Sequence, residues 1–354
     1  FGYKGGYMKK VDYLLLIAII IISLFGLLMI YSSSYVWAEY KFNNPYKFLK
    51  SQALFLMIGY VIMIIVANIP YTKYLNKANI IFGVCFLLLI LVLIPGIGTI
   101  RNGSRSWFGI GPLGIQPSEF TKLALIIFTS KYLAHNEKLL KDIKKGVFPI
   151  LGILLLVFGL IMLQPDFGTG VVIVMTIVVL LFVSGVKMGF FIKIGVLGLI
   201  GVATLVIIAP YRLKRIVSFI NPWTDPLGSG FQIIQSLYSI GPGGLLGLGF
   251  GNSIQKHFYL PEPQTDFIFS IISEEFGFVG ILIVASLFIT IIYRGFKIAI
   301  NSEDKFGKFL AFGITFGLSF QALLNLMVVV GLIPVTGYAL LLYSKLQSNF
   351  ALKI

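Results

Sequence analysis

Cysteine, histidine and charge are all scarce in this chain. One cysteine, Cys85, sits in an apolar run among 354 residues, and there are two histidines. No intrachain disulfide can form, and no Cys/His metal site can be assembled. Charged residues make up 12% of the chain and hydrophobic residues 58%, against roughly 25% charged in soluble domains. That excludes an ordinary soluble protein and leaves an integral membrane one. There is no GxxxxGK[ST] phosphate loop, no nucleic-acid-binding motif, no convincing internal repeat and no low-complexity segment. Acid is scarcer than base, 13 residues against 28, for a net charge of +15. In a multi-pass chain such an excess serves orientation and anionic headgroups rather than nucleic acid.

What the chain has in quantity is apolar runs. A spanning helix needs about 20 mostly apolar residues. That rule predicts helices near 13–31, 52–69, 78–95, 118–134, 147–163, 168–185, 189–209, 267–293 and 307–331. Residues 1–7 (FGYKGGY) precede Met8 and read as a tag-like or upstream extension. The run from Tyr13 is too long for a signal-peptide core and reads as an uncleaved first helix. After Gly337 the apolar stretch Tyr338–Tyr343 is too short to span. The expectation is nine full transmembrane helices, a truncated tenth, and an atypical stub over 338–354. With the N-terminus cytoplasmic, 15 basic residues fall inside and 9 outside, which favours that orientation. The outer ones gather in two loops, 96–117 and 210–265.

Four polar motifs stand out. GSRSWFGIGPLGIQPSEFTK, Gly103–Lys122, puts Pro117 in a first helical turn, with Glu119 and Lys122 three apart on one face. Charges inside a spanning helix are costly, which favours function for these two. For Trp107 and Arg101, interfacial anchoring is as good a reading. QPDFGTG, Gln164–Gly170, offers Asp166 as a site acid or as the partner of an arginine. NPWTDPLGSGFQIIQSLYSIGPGGLLGLGFGNS, Asn221–Ser253, predicts a short amphipathic helix, Gln232–Ser239, lying on the membrane. On spacing alone its glycines read as a flexible loop. LPEPQTDFIFSIISEEFGFVG, Leu260–Gly280, places Asp266 at a helix start, suited to general-base work or simply to the helix dipole. Glu274 lies eight residues on, about 12 Å along the helix and about 80° round, so these acids cannot all face one small site. For Glu274 or Glu275 the plain alternative is a buried partner for a lysine.

Together these motifs, with YRLKR at Tyr211–Arg215 and GLIPVTG at Gly331–Gly337, resemble the SEDS family (shape, elongation, division, sporulation), closest to its FtsW/SpoVE branch and related to RodA. The resemblance implies an all-α polytopic membrane fold with a large extracytoplasmic loop between helices 7 and 8. It implies a peptidoglycan glycosyltransferase that polymerises lipid II into β-1,4 glycan strands outside the bacterial cytoplasmic membrane, at a division or sporulation septum. It implies a class B penicillin-binding protein and other divisome or sporulation membrane proteins as partners. The family's catalytic acid maps onto Asp266. Gln116, Glu119, Lys122 and Asp166 map onto its other important positions.

The chemistry fits that expectation. Departure of a polyprenyl pyrophosphate leaves developing negative charge. Arg101, Arg105, Lys122, Arg212, Lys214, Arg215 and Lys256 are the outer basic groups that could stabilise it. A divalent cation, Mg²⁺ or Mn²⁺, bridging phosphate oxygens would do the same work. Its protein ligands are not readable from the sequence. Two other readings remain open: a lipid II flippase, and a non-catalytic scaffold that activates a penicillin-binding protein. A flippase should carry charges along a path near the midplane, where only Lys193, Glu274 and Glu275 are candidates.

Overall fold

The computed structural model describes residues 11–101, 104–110, 113–208, 210–228, 230–261 and 263–334. Nine of its helices fall one for one on the expected spans. They are α1 (Tyr13–Phe42), α2 (Lys47–Ala67), α3 (Thr72–Leu91), α4 (Pro117–His135), α5 (Phe148–Met162), α6 (Phe167–Val183), α7 (Met188–Ile208), α10 (Ile268–Ile300) and α11 (Lys305–Val329). Among the described residues, seven are long and apolar enough to cross a membrane, α5 being counted from Ile143. Of the other two, α6 has 17 residues and α4 is interrupted by Glu119, Lys122 and Lys131. A helix closes all its backbone hydrogen bonds within itself, as an apolar medium requires. The stub at 338–354 and the extension at 1–7 lie outside the described residues.

Several expected boundaries shift: α3 starts at Thr72, not residue 78, and α10 runs to Ile300, not residue 293. The first helix runs to Phe42, not Tyr31, and the second starts at Lys47, not residue 52. Ser33 and Ser34 lie inside the lengthened first helix, where their hydroxyls donate back to Met29 O (2.8 Å) and Ile30 O (2.6 Å). At 30 residues α1 is about 45 Å long, so it outruns a hydrocarbon core of about 30 Å. It ends where Asn43 turns left-handed at φ 52°.

The two long polar loops are folded rather than slack. Residues 99–115 form a three-stranded antiparallel sheet, β1 (Thr99–Arg101), β2 (Ser104–Ile110) and β3 (Leu113–Ile115), which the helix-only expectation lacked. Trp107, within β2, is buried rather than exposed as an interfacial anchor would be. Residues 210–267 carry α8 (Pro210–Ile220) and α9 (Phe231–Ile240). The expected amphipathic helix is present as α9, and its serine face docks on α10 and α11. Ser236 Oγ lies 2.7 Å from both Ser270 Oγ and Val329 O, and Ser239 Oγ donates to Ser270 O at 2.9 Å.

On the opposite side of the bundle, polar contacts tie helix ends together. Asp12, the N-cap of α1, pairs with Arg294 at 2.7 Å, and Lys305 pairs with Glu137. Hydrogen bonds from Arg294 hold the Asp12 carboxyl below its ordinary range. Within the bundle, α11 packs closely on α4 and α6 through glycine. A Cβ on Gly313 would stand 2.7 Å from Ile126 Cγ2.

The decisive irregularity is in α10, which breaks at Gly277 (φ 62°, ψ −155°). The break frees two carbonyls and two amides that an unbroken helix would pair. The glycine-rich stretch takes all four. Leu248 N–H donates to Glu274 O (2.9 Å) and Gly249 N–H to Glu275 O (3.0 Å). Phe278 N–H donates to Gly244 O (2.9 Å) and Val279 N–H to Leu245 O (3.1 Å). The glycines are therefore a structural splice, not a flexible loop. Gly247 sits at φ 78°, and a Cβ there would stand 2.2 Å from Glu275 O. Gly251 has φ 81° but nothing within 4 Å of a Cβ. Gly251→Ala should cost about 1 kcal/mol, from backbone strain alone. Gly247→Ala should cost at least about 2–3 kcal/mol, because overpacking adds to the strain. Thermal unfolding of the two variants in detergent checks this; equal losses would contradict the splice.

Candidate active site

Gln116, Glu119, Lys122, Asp166 and Asp266 gather at one end of the bundle, where α4, α6 and α10 begin and α11 nears its end. Pro117 opens α4 at its first turn, with Gln116 as the residue before it. Gln116 is buried and donates through Nε2 to Asp166 Oδ2 at 2.7 Å. Asp166 is the N-cap of α6. Its carboxylate accepts from Thr169 N–H at 3.2 Å and from Thr169 Oγ1 at 2.7 Å. The acid is thus placed by a cap and by a glutamine from the neighbouring helix.

One turn into α4, Lys122 is buried, and its ammonium pairs with Glu119 at 2.9 Å. The same ammonium donates to Gln321 Oε1 at 2.7 Å. Gln321 belongs to α11, and one turn further along that helix Asn325 Nδ2 donates to the main-chain carbonyl of Asp266 at 3.0 Å. A polar row on α11 therefore links Lys122 to the segment that carries Asp266. Gln321 and Asn325 escaped sequence reasoning, although two amides four apart in an apolar helix are a legible signal. Asp266 itself is half-buried, two residues before α10 begins.

Several buried polar atoms nearby have no partner among the described residues: Gln116 Oε1, Ser118 Oγ, Gln264 Oε1 and both amide atoms of Gln164. Each unmatched buried group costs about 1–3 kcal/mol. Such a concentration fits a place where water or a polar ligand completes the bonding.

The basic residues divide. Arg105 turns its guanidinium to Leu93 O at the exit of α3, 3.3 Å away. The side chains of Arg101, Arg212, Lys214 and Arg215 lie outside the described residues. Lys256 departs from its expected place among the exposed phosphate-binding groups. It is buried against Glu275, Nζ to Oε1 2.9 Å, with neither side chain exposed. Its charge neutralises a carboxylate that would otherwise be buried alone. This is the lysine partner that the sequence left open for Glu274 or Glu275. Glu274, for its part, accepts from Ser253 Oγ (2.6 Å), Ile254 N–H (2.8 Å) and Ser239 Oγ (3.1 Å). Among the described residues no three His, Cys, Asp or Glu side chains stand close enough to hold a metal ion.

Residues 12–350 match the family described as cell cycle protein, FtsW/RodA/SpoVE. The chain belongs to that family. It is 50% identical to the stage V sporulation protein E of Bacillus subtilis (strain 168), over 97% of this chain and 94% of that one. It is 40% identical to a probable peptidoglycan glycosyltransferase FtsW of Geobacter sp. (strain M18), over 93% of this chain and 90% of that one. Among solved structures, a chain of a peptidoglycan synthase complex that coordinates polymerization and crosslinking superposes with TM-score 0.78 at 30% identity, covering 98% of this chain and 95% of that one. The Thermus thermophilus rod shape determining protein RodA superposes with TM-score 0.70 at 26% identity, covering 98% and 93%. The FtsW/RodA/SpoVE match extends past Gly337, where the recognisable motifs end.

Asp166 offers a direct check on the α4–α6 contact. Asp166→Ala removes the cap and leaves the Gln116 amide unmatched, and should cost about 1–2 kcal/mol in thermal unfolding. Asp166→Asn keeps an acceptor for Thr169 N–H and should recover most of that loss. Equal losses would mean that the charge, rather than the cap, is what the fold requires.

Proposed function

We propose that this chain is a peptidoglycan glycosyltransferase that polymerises lipid II at the outer face of the cytoplasmic membrane, in division or sporulation. The observation that carries this reading is the position of Asp266. It is a half-buried carboxylate at the outer end of α10, tied by its backbone to a polar row that ends on Lys122. Family membership and the names of the relatives support the same reaction class.

In this mechanism Asp266 accepts the proton of the acceptor sugar hydroxyl as that oxygen attacks the anomeric carbon of the donor. The bond from that carbon to the pyrophosphate oxygen breaks, and the polyprenyl pyrophosphate leaves with the electron pair. Lys122 and the outer arginines supply positive charge where the leaving group develops negative charge. Gln116, Asp166 and Gln321 hold Lys122 and the α4 end in place. A divalent cation at this site would draw most of its ligands from the substrate phosphates, since the described carboxylates form no cage. A class B penicillin-binding protein is the proposed partner, in keeping with the synthase complex among the structural relatives. The flippase reading loses ground, because Glu274 and Glu275 are closed into bonds with the outer segment rather than lining a path.

Asp266→Asn keeps the shape and removes the base. It should reduce glycan-strand formation from purified lipid II by about 10²–10⁴-fold, with folding and lipid II binding retained. Full polymerisation by that variant removes Asp266 from the mechanism. An inactive parent that moves lipid II across liposomes favours the flippase, and one that only stimulates its partner favours the scaffold.

The mechanism also requires the N-terminus inside. In a Cys85→Ser background, cysteine at Thr224 should react with an impermeant thiol reagent in intact cells, and cysteine at Asn301 should not. The reverse pattern overturns the orientation and, with it, the extracellular site.

A further inference from the structure

The break in α10 leaves a short helix, 268–276, about 13 Å long at 1.5 Å per residue. Asp266 lies just before its N-terminal end, and Glu274 and Glu275 lie at its C-terminal end. A helix C-terminus disfavours carboxylates and favours a cation. Yet two carboxylates are buried there, 1% and 0% exposed, and they are held by six donors. Four of those donors come from residues 253–256: Ser253 N–H, Ser253 Oγ, Ile254 N–H and Lys256 Nζ. The other two are Ser32 of α1, whose Oγ lies 2.6 Å from Glu275 Oε1, and Ser239 of α9.

The chain from Lys256 to Asp266 therefore runs back along the short helix from its C-terminal end to its N-terminal end. It is fastened at the first end by Lys256–Glu275 and at the second by Asn325 to Asp266 O. A buried ion pair adds little net stability over an apolar pair of the same volume. Its distinctive property is direction, because it is satisfied at one register only.

We propose that Glu275, with Lys256 as its counter-ion, is a positioning residue that fixes where Asp266 stands. This rests on the reading of Asp266 as the base. Loosening the pair should then lower turnover without changing substrate binding, since displacement of a reacting group by about 1 Å can cost about 10²-fold. Ser32 brings α1 into the same cluster, so the placement of Asp266 depends on the packing of α1 against α10 as well.

The test compares the full chain with the Lys256→Met/Glu275→Gln double variant in lipid nanodiscs. Gln keeps one oxygen that can accept from Ser32 and from Ser253 N–H, and removing both charges together leaves no buried charge unpaired. The melting temperature should stay close to the parent's. Amide exchange across 257–267 should rise about tenfold or more, with the rest of the bundle unchanged. With lipid II, kcat should fall about 10–10²-fold at constant KM. Parental exchange across 257–267 overturns the proposal whatever the reaction is. Raised exchange with parental kcat overturns it too, since the pair would then only tidy a loop. If the double variant does not fold, Ser32→Ala, which deletes the hydroxyl bonded to Glu275, takes its place. Raised exchange with lowered kcat in that variant supports the proposal, and parental values of either overturn it. Full polymerisation by Asp266→Asn would instead sink the base assignment and leave the exchange result standing.

Discussion

Two adjacent carboxylates cannot be buried in an apolar bundle without partners, and the half of this protein that holds them is arranged around supplying them. Glu274 and Glu275 draw in Ser32 from α1, Ser239 from α9 and the whole turn 253–256. Removing one member of a buried ion pair typically costs about 3–5 kcal/mol, so the cluster cannot come apart piecemeal. The break at Gly277 makes it possible. An unbroken α10 would keep its carbonyls to itself and leave the glycine-rich stretch nothing to bond. A helix that sacrifices its own bonds can bind a second segment at full backbone complement, which is the condition for irregular chain at membrane depth.

The second organising contact is the polar row Lys122–Gln321–Asn325, which crosses from α4 to α11 and reaches the backbone of Asp266. A buried ammonium needs both a counter-charge and further acceptors. Glu119 supplies the first from the same helix and Gln321 the second from another. Close glycine packing of α11 on α4 is what brings that second acceptor within reach. The geometry of the proposed site and the helix packing are thus the same fact seen from two sides. Substitutions at Gly313 would move Lys122 without touching it.

These two devices meet at residues 256–267. One end of that segment answers to the carboxylate cluster and the other to α11. The acid in between is placed by tertiary contacts on both sides rather than by its own helix alone. The sheet at 99–115 and the cap of α6 close the same region, where Ser104 and Ser106 donate to the Gln164 carbonyl.

The sequence by itself determined what its periodicity and composition could carry. Long apolar runs specify spanning helices because backbone bonds must close locally in lipid, and all nine runs became helices. Motif order specified the family, and Pro117 with Glu119 specified the start of α4. The first boundary failed because the apolar pattern stops at Tyr31, whereas the helix runs on through Ser32–Ser34, whose buried hydroxyls find their partners within the protein. The glycine stretch failed for a related reason. Spacing reports freedom of φ and ψ, but not the broken helix that consumes it. Lys256 was assigned to the surface because charge is normally solvated. Only the fold brings Glu275 beside it, from 19 residues away, and turns an anion binder into a counter-ion. Gln321 is 199 residues from Lys122, and nothing local in either helix announces the other. Pairings at that distance are set by which faces pack, and that is decided by tertiary structure alone.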